Sequence, residues 1–364
     1  MSPRKEALGK GDTVLVTGAA GTVGHYAIAL AEAAGYRVIA SDLTAKGVQQ
    51  PVRGEVRPGD LRDGEFVTRL VQGCDAVIHT AALLDVGAPE DALREVNTEV
   101  VARLYEAAAA ANVQRFVQVS TAMLYAERAE QPLAETSEIA PRGPYGRSKL
   151  GAEEVLRARA GDGPAWTILR AAPLYGRRGR HFAAAMLSVA PTLRLVTPIL
   201  PQPSGGPTAT MVHAEDVARA AIFVLGREDT KHEIYNVADE DALTLGDRIT
   251  ETMRAYGLPT VGTGALPRGV LDRIAKIFVQ PGAYHAADSV ALGMWKLVVL
   301  RHGLKPALRV RLDREALTLL YDDLILDTSK LRALGWLPRY PRFAEGWRQV
   351  LRWYQAEQWV PRFA

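Results

Sequence analysis

The 364-residue sequence contains a single cysteine, Cys74. That excludes an intramolecular disulfide and leaves no thiolate cluster for a structural metal. Its setting, Gly73-Cys74-Asp75-Ala76-Val77-Ile78, is the entry to a strand, where a small buried thiol is expected. Seven histidines are scattered without ligand spacing, so no metal is expected either. No apolar run reaches the ~18 residues that a membrane span needs, and residues 1–10 are polar and charged, without the apolar centre of a secretion signal. The formal net charge of +3 is small for this length and argues against nucleic acid as a partner. Internal repeats and low-complexity tracts are also missing. A cytoplasmic protein in a reducing compartment is expected, large enough for one big domain or two unequal ones.

What is present is a rhythm. From Asp12 to about Arg170, short apolar runs alternate with longer helical patterns. Val14–Val16, Val38–Ala40, Ala76–Ile78, Phe116–Val119 and Trp166–Leu169 read as strands. Val23–Ala34, Glu90–Ala111 and Tyr145–Arg159 read as helices. This alternation predicts βαβ units, a parallel sheet covered on both faces, and ligands at the strands' C-terminal edge. Beyond Arg170 the rhythm breaks. Residues 176–207 read as irregular loops with one helix, Ala183–Val189. Met211–Leu225 and Ile234–Val237 read as one more helix and strand of the sheet. From Leu245 on the pattern is largely helical. The expected architecture is an α/β, doubly wound parallel sheet with a smaller, mostly helical C-terminal substrate domain. Residues 11–176, completed by 208–238, would form the nucleotide-binding part, and 177–207 with 239–364 a discontinuous substrate-binding part.

The segment Thr17-Gly18-Ala19-Ala20-Gly21-Thr22-Val23-Gly24 follows the first strand and opens the first helix. Gly18 permits a tight turn, Gly21 lets a pyrophosphate approach the backbone, and Gly24 allows close helix–sheet packing. The helix N-terminus adds unpaired N–H groups and a positive dipole end. Gly18, Gly21, Thr22, Val23 and Gly24 are therefore the candidate phosphate contacts, although glycines also serve ordinary turns. Asp42, 18 residues beyond Gly24, ends the second strand. A carboxylate there accepts the adenine-ribose hydroxyls and repels a 2′-phosphate, which favours NAD over NADP; a turn aspartate is the plainer alternative. Asp60 and Leu61 are further adenine-side candidates, with Asp60 as a helix N-cap the alternative.

Tyr145 and Lys149 lie one helical turn apart and share a face. A phenol is a poor acid–base group at neutral pH, and a neighbouring ammonium favours its ionised form. Thr121, just past the Phe116–Ser120 strand, adds a hydroxyl at the same sheet edge. Together these make a proton-handling set for carbonyl–alcohol chemistry.

These segments resemble those of the extended short-chain dehydrogenase/reductases through nearly the whole chain. The resemblance rests on the glycine turn and on His79-Thr80-Ala81-Ala82, Asn97, Ser120-Thr121-Ala122, Tyr145-Gly146-Arg147-Ser148-Lys149, Arg170 to Gly176, Met211 to Ala218, and Asp327 to Leu331 with Leu334-Gly335-Trp336. It implies a Rossmann fold and NAD, with Thr80, Ala81, Asn97, Tyr145, Lys149 and Pro173 as further cofactor contacts. It also implies Thr121, Tyr145 and Lys149 as catalytic residues, Thr121, Ala122 and Met123 against the substrate, and a homodimer through the Glu90–Ala111 and Tyr145–Arg159 helices.

Within that family, 4,6-dehydratases carry Asp-Glu after the catalytic hydroxyl, where this chain has Ala122 and Met123. UDP-sugar epimerases hold the diphosphate with an Asn and an Arg whose positions here are Pro173 and Ala209. The order of segments after residue 312, from Leu-Asp-Arg-Glu-Ala-Leu to Asp327-Thr328-Ser329-Lys330, is similar to the 3β-hydroxysteroid dehydrogenase/isomerase group. Residues 262–312 carry eight Lys or Arg against two Asp, between apolar blocks Leu271–Val279 and Val290–Leu300. Such a helical pair would touch a membrane surface peripherally, line a lipid-sized pocket, or be an ordinary cover with a solvated basic face. The resulting expectation is an NAD-dependent oxidoreductase acting on a bulky hydrophobic alcohol, sterol-like or long-chain. A sugar-nucleotide epimerase is the alternative, and a non-catalytic NAD(H) sensor a more distant one. Arg177, Arg178 and Arg180 read as solvated loop charges, with a substrate anion as their alternative partner.

Overall fold

The apolar runs read from the sequence are strands buried on both faces, as a parallel sheet between two helix layers requires. In a computed structural model, residues 8–48, 54–84, 88–127, 129–141, 143–180, 182–279, 281–308, 310 and 322–363 are described. β1 (Thr13–Thr17), β2 (Arg37–Ser41), β3 (Glu55–Val56), β4 (Ala76–His79), β5 (Arg115–Thr121) and β6 (Ala165–Ala171) join the Glu233–Val237 strand in one seven-stranded sheet. Its order is β3-β2-β1-β4-β5-β6-(Glu233–Val237), and every pairing is parallel. The chain winds one way from β1 to β3 and the other way from β4 on. The switch point therefore lies between β1 and β4, where a crevice opens at the strands' C-terminal ends.

The covering helices are α1 (Gly24–Ala33), α2 (Gly64–Leu70), α3 (Glu90–Arg94), α4 (Val100–Ala110), α5 (Pro144–Ala158), and, after α6 (Phe182–Leu193), α7 (Ala214–Leu225). The single helix expected over 90–111 contains a π-turn at Glu95–Glu99, which joins α3 to α4. The α2 helix and β3 escaped the sequence reading. The α2 N-cap is Asp63, whose carboxylate accepts the Glu65 and Phe66 amides, so Asp60 is not the cap. The helix expected from Met211 begins at Ala214, because His213 caps it and Val212 still pairs with Leu174.

A second core lies apart from the sheet. Tyr175, Leu187, Leu200, Met211, Met253, Tyr256, Trp295, Phe343, Trp347 and Tyr354 are buried together in it. Most come from α6 and from α8 (Leu245–Tyr256), α10 (Pro281–His302) and α12 (Phe343–Ala356), while Tyr175, Leu200 and Met211 come from short strands and the link between two of them. Short strands Leu200–Ser204 and Thr260–Ala265 pair in parallel beside it, the first in a stretch expected as loop and the second in a region expected to be largely helical. The blocks Leu271–Val279 and Val290–Leu300 fall in α9 (Arg268–Val279) and α10. Residues 311–321 lie outside the described residues. No described helix is long and apolar enough to cross a membrane. α11 (Ser329–Ala333) returns to the sheet, where Lys330 Nζ donates to Glu233 and to the Ile234 carbonyl at 2.7 and 2.9 Å.

Candidate active site

At the end of β1 the chain turns sharply. Gly18 has φ +68°, and the Gly21 amide donates to its carbonyl at 2.9 Å. A Cβ on Gly18 would stand 2.7 Å from the Ala81 nitrogen and 2.9 Å from Thr80 Oγ1, and one on Gly24 would stand 2.0 Å from the Gly18 oxygen. Glycine is demanded at both places by contact with the β1 turn and with the end of β4. Thr80 Oγ1 also donates to the Thr17 carbonyl at 2.7 Å, so Thr80 and Ala81 are fixed against the turn. The α1 helix starts without a side-chain cap at Val23 and with no acid in its first turn. The His25 and Tyr26 amides bond back to the Gly21 and Val23 carbonyls, so an anion would meet the Thr22, Val23 and Gly24 amides just before them, with Gly21 exposed and Thr22 half-buried. A dinucleotide's pyrophosphate fits this cradle.

Asp42 follows β2. Its Oδ2 accepts the Ala20 amide at 2.9 Å and its Oδ1 accepts the Leu43 amide at 2.8 Å. The carboxylate is therefore held beside the glycine turn, with lone pairs to spare for hydroxyls. Asp60 and Leu61 lie nearby, since the Gly59 amide donates to the Asp42 carbonyl. Arg62 forks onto the Asp60 carboxylate at 2.6 to 3.1 Å and holds its pKa down.

Thr121 is the last residue of β5, and its Oγ1 accepts the Met123 amide at 3.2 Å. The α5 helix begins at Pro144, placing Tyr145 in its first turn and Lys149 in its second. Gly146 is pressed against this region: a Cβ there would come within 3.0 Å of the Met123 carbonyl. Lys149 runs inward and donates from Nζ to the Val119 carbonyl at 2.7 Å. Burial lowers its pKa to about 8, and the charge of Glu153 opposes that shift. The tertiary structure thus brings the ends of β5 and α5 together, with Thr121 and Tyr145 both half-buried at the sheet's C-terminal edge. Pro173 follows β6 at the same edge, and its carbonyl accepts the Val212 amide.

Asn97 sits in the π-turn, 1% exposed. Its amide bonds both the N–H and the carbonyl of Leu83 and donates to Ser148 Oγ, whose hydroxyl donates to the Tyr145 carbonyl. Its polar groups are engaged inside the protein, in tying the β4 exit to α5.

A buried network escaped the sequence reading. Ser120 donates to Glu153 at 2.6 Å, and Arg170 forks onto the same carboxylate, its NH2 at 2.7 Å. Arg170 donates on to Tyr125, which donates to Asn236 on the far strand. The signal was present: Arg170 is a charge within an otherwise apolar run, and Glu153 lies one turn from Lys149. His79 was also missed as a polar core residue; its Nδ1 is 2.7 Å from Thr17 Oγ1, and burial lowers its pKa to about 3.

Of the arginines after β6, Arg177 and Arg178 are half-buried, while Arg180 is exposed and lies over the Trp359 ring at 5.7 Å.

Comparison with known proteins places this geometry in context. A family model described as "NAD dependent epimerase/dehydratase family" matches residues 14–238. A UDP-glucose 4-epimerase from Streptomyces lividans is 27% identical over 277 residues, 70% of this chain and 84% of that protein. A 3-diazoavenalumate denitrifying reductase from a Streptomyces species is 29% identical over 300 residues, 78% of this chain and 95% of that protein. Among solved structures, the UDP-glucose 4-epimerase of Thermotoga maritima with UDP-glucose superposes with a TM-score of 0.70 at 20% identity, covering 94% of this chain and 99% of that one.

Proposed function

The chain belongs to the NAD dependent epimerase/dehydratase family, and on that premise we propose that it is an NAD-dependent enzyme inverting a secondary alcohol of a nucleotide sugar. The observation carrying this reading is the likeness to UDP-glucose 4-epimerases along most of their length. The convergence of Thr121, Tyr145 and Lys149 at the sheet edge supports it. These relatives favour the sugar-nucleotide alternative over the hydrophobic alcohol expected from the C-terminal segments.

The glycine turn, Asp42 and the Thr80–Ala81 exit of β4 would hold NAD, which supplies the acceptor for the hydride leaving the carbinol carbon. Tyr145, as phenolate, takes the proton of the substrate hydroxyl and gives it back on the return. Lys149 places an ammonium one turn further along the same helix and favours that phenolate. Thr121 donates to the substrate oxygen and stabilises the developing charge. Ala122 and Met123 supply no acid or base, so elimination of water is not part of this chemistry.

One observation favours a second reading. Ala209, where epimerases carry an arginine, is 1% exposed and lies among apolar side chains, and Pro173 offers no amide side chain. A substrate without a diphosphate, taken by a simple alcohol dehydrogenase, suits that better. Incubation with UDP-glucose and chromatographic analysis of the sugar tests the two. Appearance of the 4-epimer, with NAD retained by the purified protein, supports the epimerase. No epimer, together with NADH formation at 340 nm from a steroid or long-chain hydroxy substrate, replaces it with the dehydrogenase.

A further inference from the structure

The α10 helix is apolar on two faces. Trp295 and Val298, 3% and 0% exposed, enter the second core. On the opposite side Ala286, Val290, Gly293, Leu297 and Leu300 are all exposed, at alternating intervals of four and three that make one stripe along a helix. Val290 is 62%, Leu297 57% and Leu300 77% exposed. A water-facing stripe is ordinarily polar, so these side chains call for a cover. The charged residues on this side of α10 are of one sign: Lys296 and Arg301 are exposed beside the stripe, and Lys305 follows the helix.

We propose that this face of α10 lies on an anionic lipid surface. Two arguments select lipid over a second copy of the chain. The stripe from Ala286 to Leu300 is only ~21 Å long and carries three large side chains, far short of the ~1,600 Å² that a stable protein interface buries. Two such faces packed together would also bring only positive charges, Lys296 and Arg301, into the contact, whereas acidic headgroups neutralise them. Because no described helix can span a membrane, contact is in the plane of the interface, with the apolar side chains entering the headgroup boundary. The inference is independent of which alcohol the enzyme takes.

Co-sedimentation of the full chain with vesicles tests it. Vesicles of phosphatidylcholine and phosphatidylserine should carry the protein down, and phosphatidylcholine alone should bind it about tenfold less, with binding falling as salt is raised. Leu297→Asp with Leu300→Asp, and separately Lys296→Glu with Arg301→Glu, should each weaken binding about tenfold. Unaltered thermal midpoints should show that both remain folded. Absence of binding to either vesicle overturns the proposal, as does equal binding by the variants. Sedimentation velocity showing a dimer that Leu297→Asp dissociates would also overturn it, by making a second copy the cover.

Discussion

Lys149 and Glu153 stand one turn apart on α5, and both end on consecutive residues of β5. Lys149 Nζ donates to the Val119 carbonyl at 2.7 Å, and Ser120 Oγ donates to Glu153 at 2.6 Å. The helix is thereby fastened to the strand just before Thr121, so that Tyr145 and Thr121 keep one spacing.

Tyr145→Phe removes only a hydroxyl at a half-buried site. Turnover should fall by about 10²–10⁴-fold, the range of a general acid–base group. NAD retention and thermal midpoint should stay at the wild-type level. Activity within a few-fold of wild type would remove Tyr145 from the mechanism.

Asp42 is the acid beside the glycine turn. Asp42→Ala should weaken the binding of NAD and strengthen that of NADP, because the carboxylate that accepts ribose hydroxyls and repels a 2′-phosphate is gone. Titration of the cofactor-stripped protein with both cofactors checks this. An unchanged NAD to NADP ratio would mean that Asp42 serves only the Ala20 and Leu43 amides.

Glu153 and Arg170 form an ion pair whose side chains are 0% and 2% exposed. Glu153→Gln leaves a buried guanidinium without its carboxylate and should cost about 3–5 kcal/mol of stability. Urea unfolding measures it. Replacing both partners by apolar residues of similar size should recover much of the loss. The charge that opposes the lowering of the Lys149 pKa also disappears, so Lys149 should deprotonate at lower pH and the alkaline limb of the activity profile should move down with it. A loss under about 1 kcal/mol would mean that the pair contributes little.

His25, His79 and His213 are buried neutral, with pKa values lowered by burial to about 4, about 3 and about 3. The unfolded chain takes up these protons near ~6.5 and the folded one does not. Stability from this source is therefore complete above that value and is lost as pH falls through 6.5 towards 3. Melting temperatures should drop over that interval. His213→Asn keeps an N-cap acceptor for the Glu215 amide and should flatten the dependence. An undiminished slope would point to other groups.

The parallel, doubly wound sheet and the nucleotide turn were legible because their signals are local. An apolar run of four or five residues, a Gly18-x-x-Gly21-x-x-Gly24 spacing and an acid at the next strand end each declare themselves within about thirty residues. Harder to read were Leu200–Ser204, whose proline content says loop, and Thr260–Ala265, which lies in a stretch whose pattern is otherwise largely helical. They become strands by pairing with each other across some sixty residues. The hydrophobic substrate is expected from the C-terminal order of segments, a stretch partly outside the described residues, whereas several of the similar proteins are UDP-glucose 4-epimerases.

The sequence by itself determined the βαβ scaffold, the glycine cradle, Asp42 beside it and the Tyr145–Lys149 pair, since each follows from backbone sterics or helical period. Only the tertiary structure decided how those parts meet. It set Thr121 beside the first turn of α5, gave Asn97 to the Leu83 backbone and Ser148, paired Glu153 with Arg170, and left the outer stripe of α10 facing water. Those contacts join residues far apart in the chain. Their partners are chosen by which strands and helices pack together, and no local spacing encodes that choice.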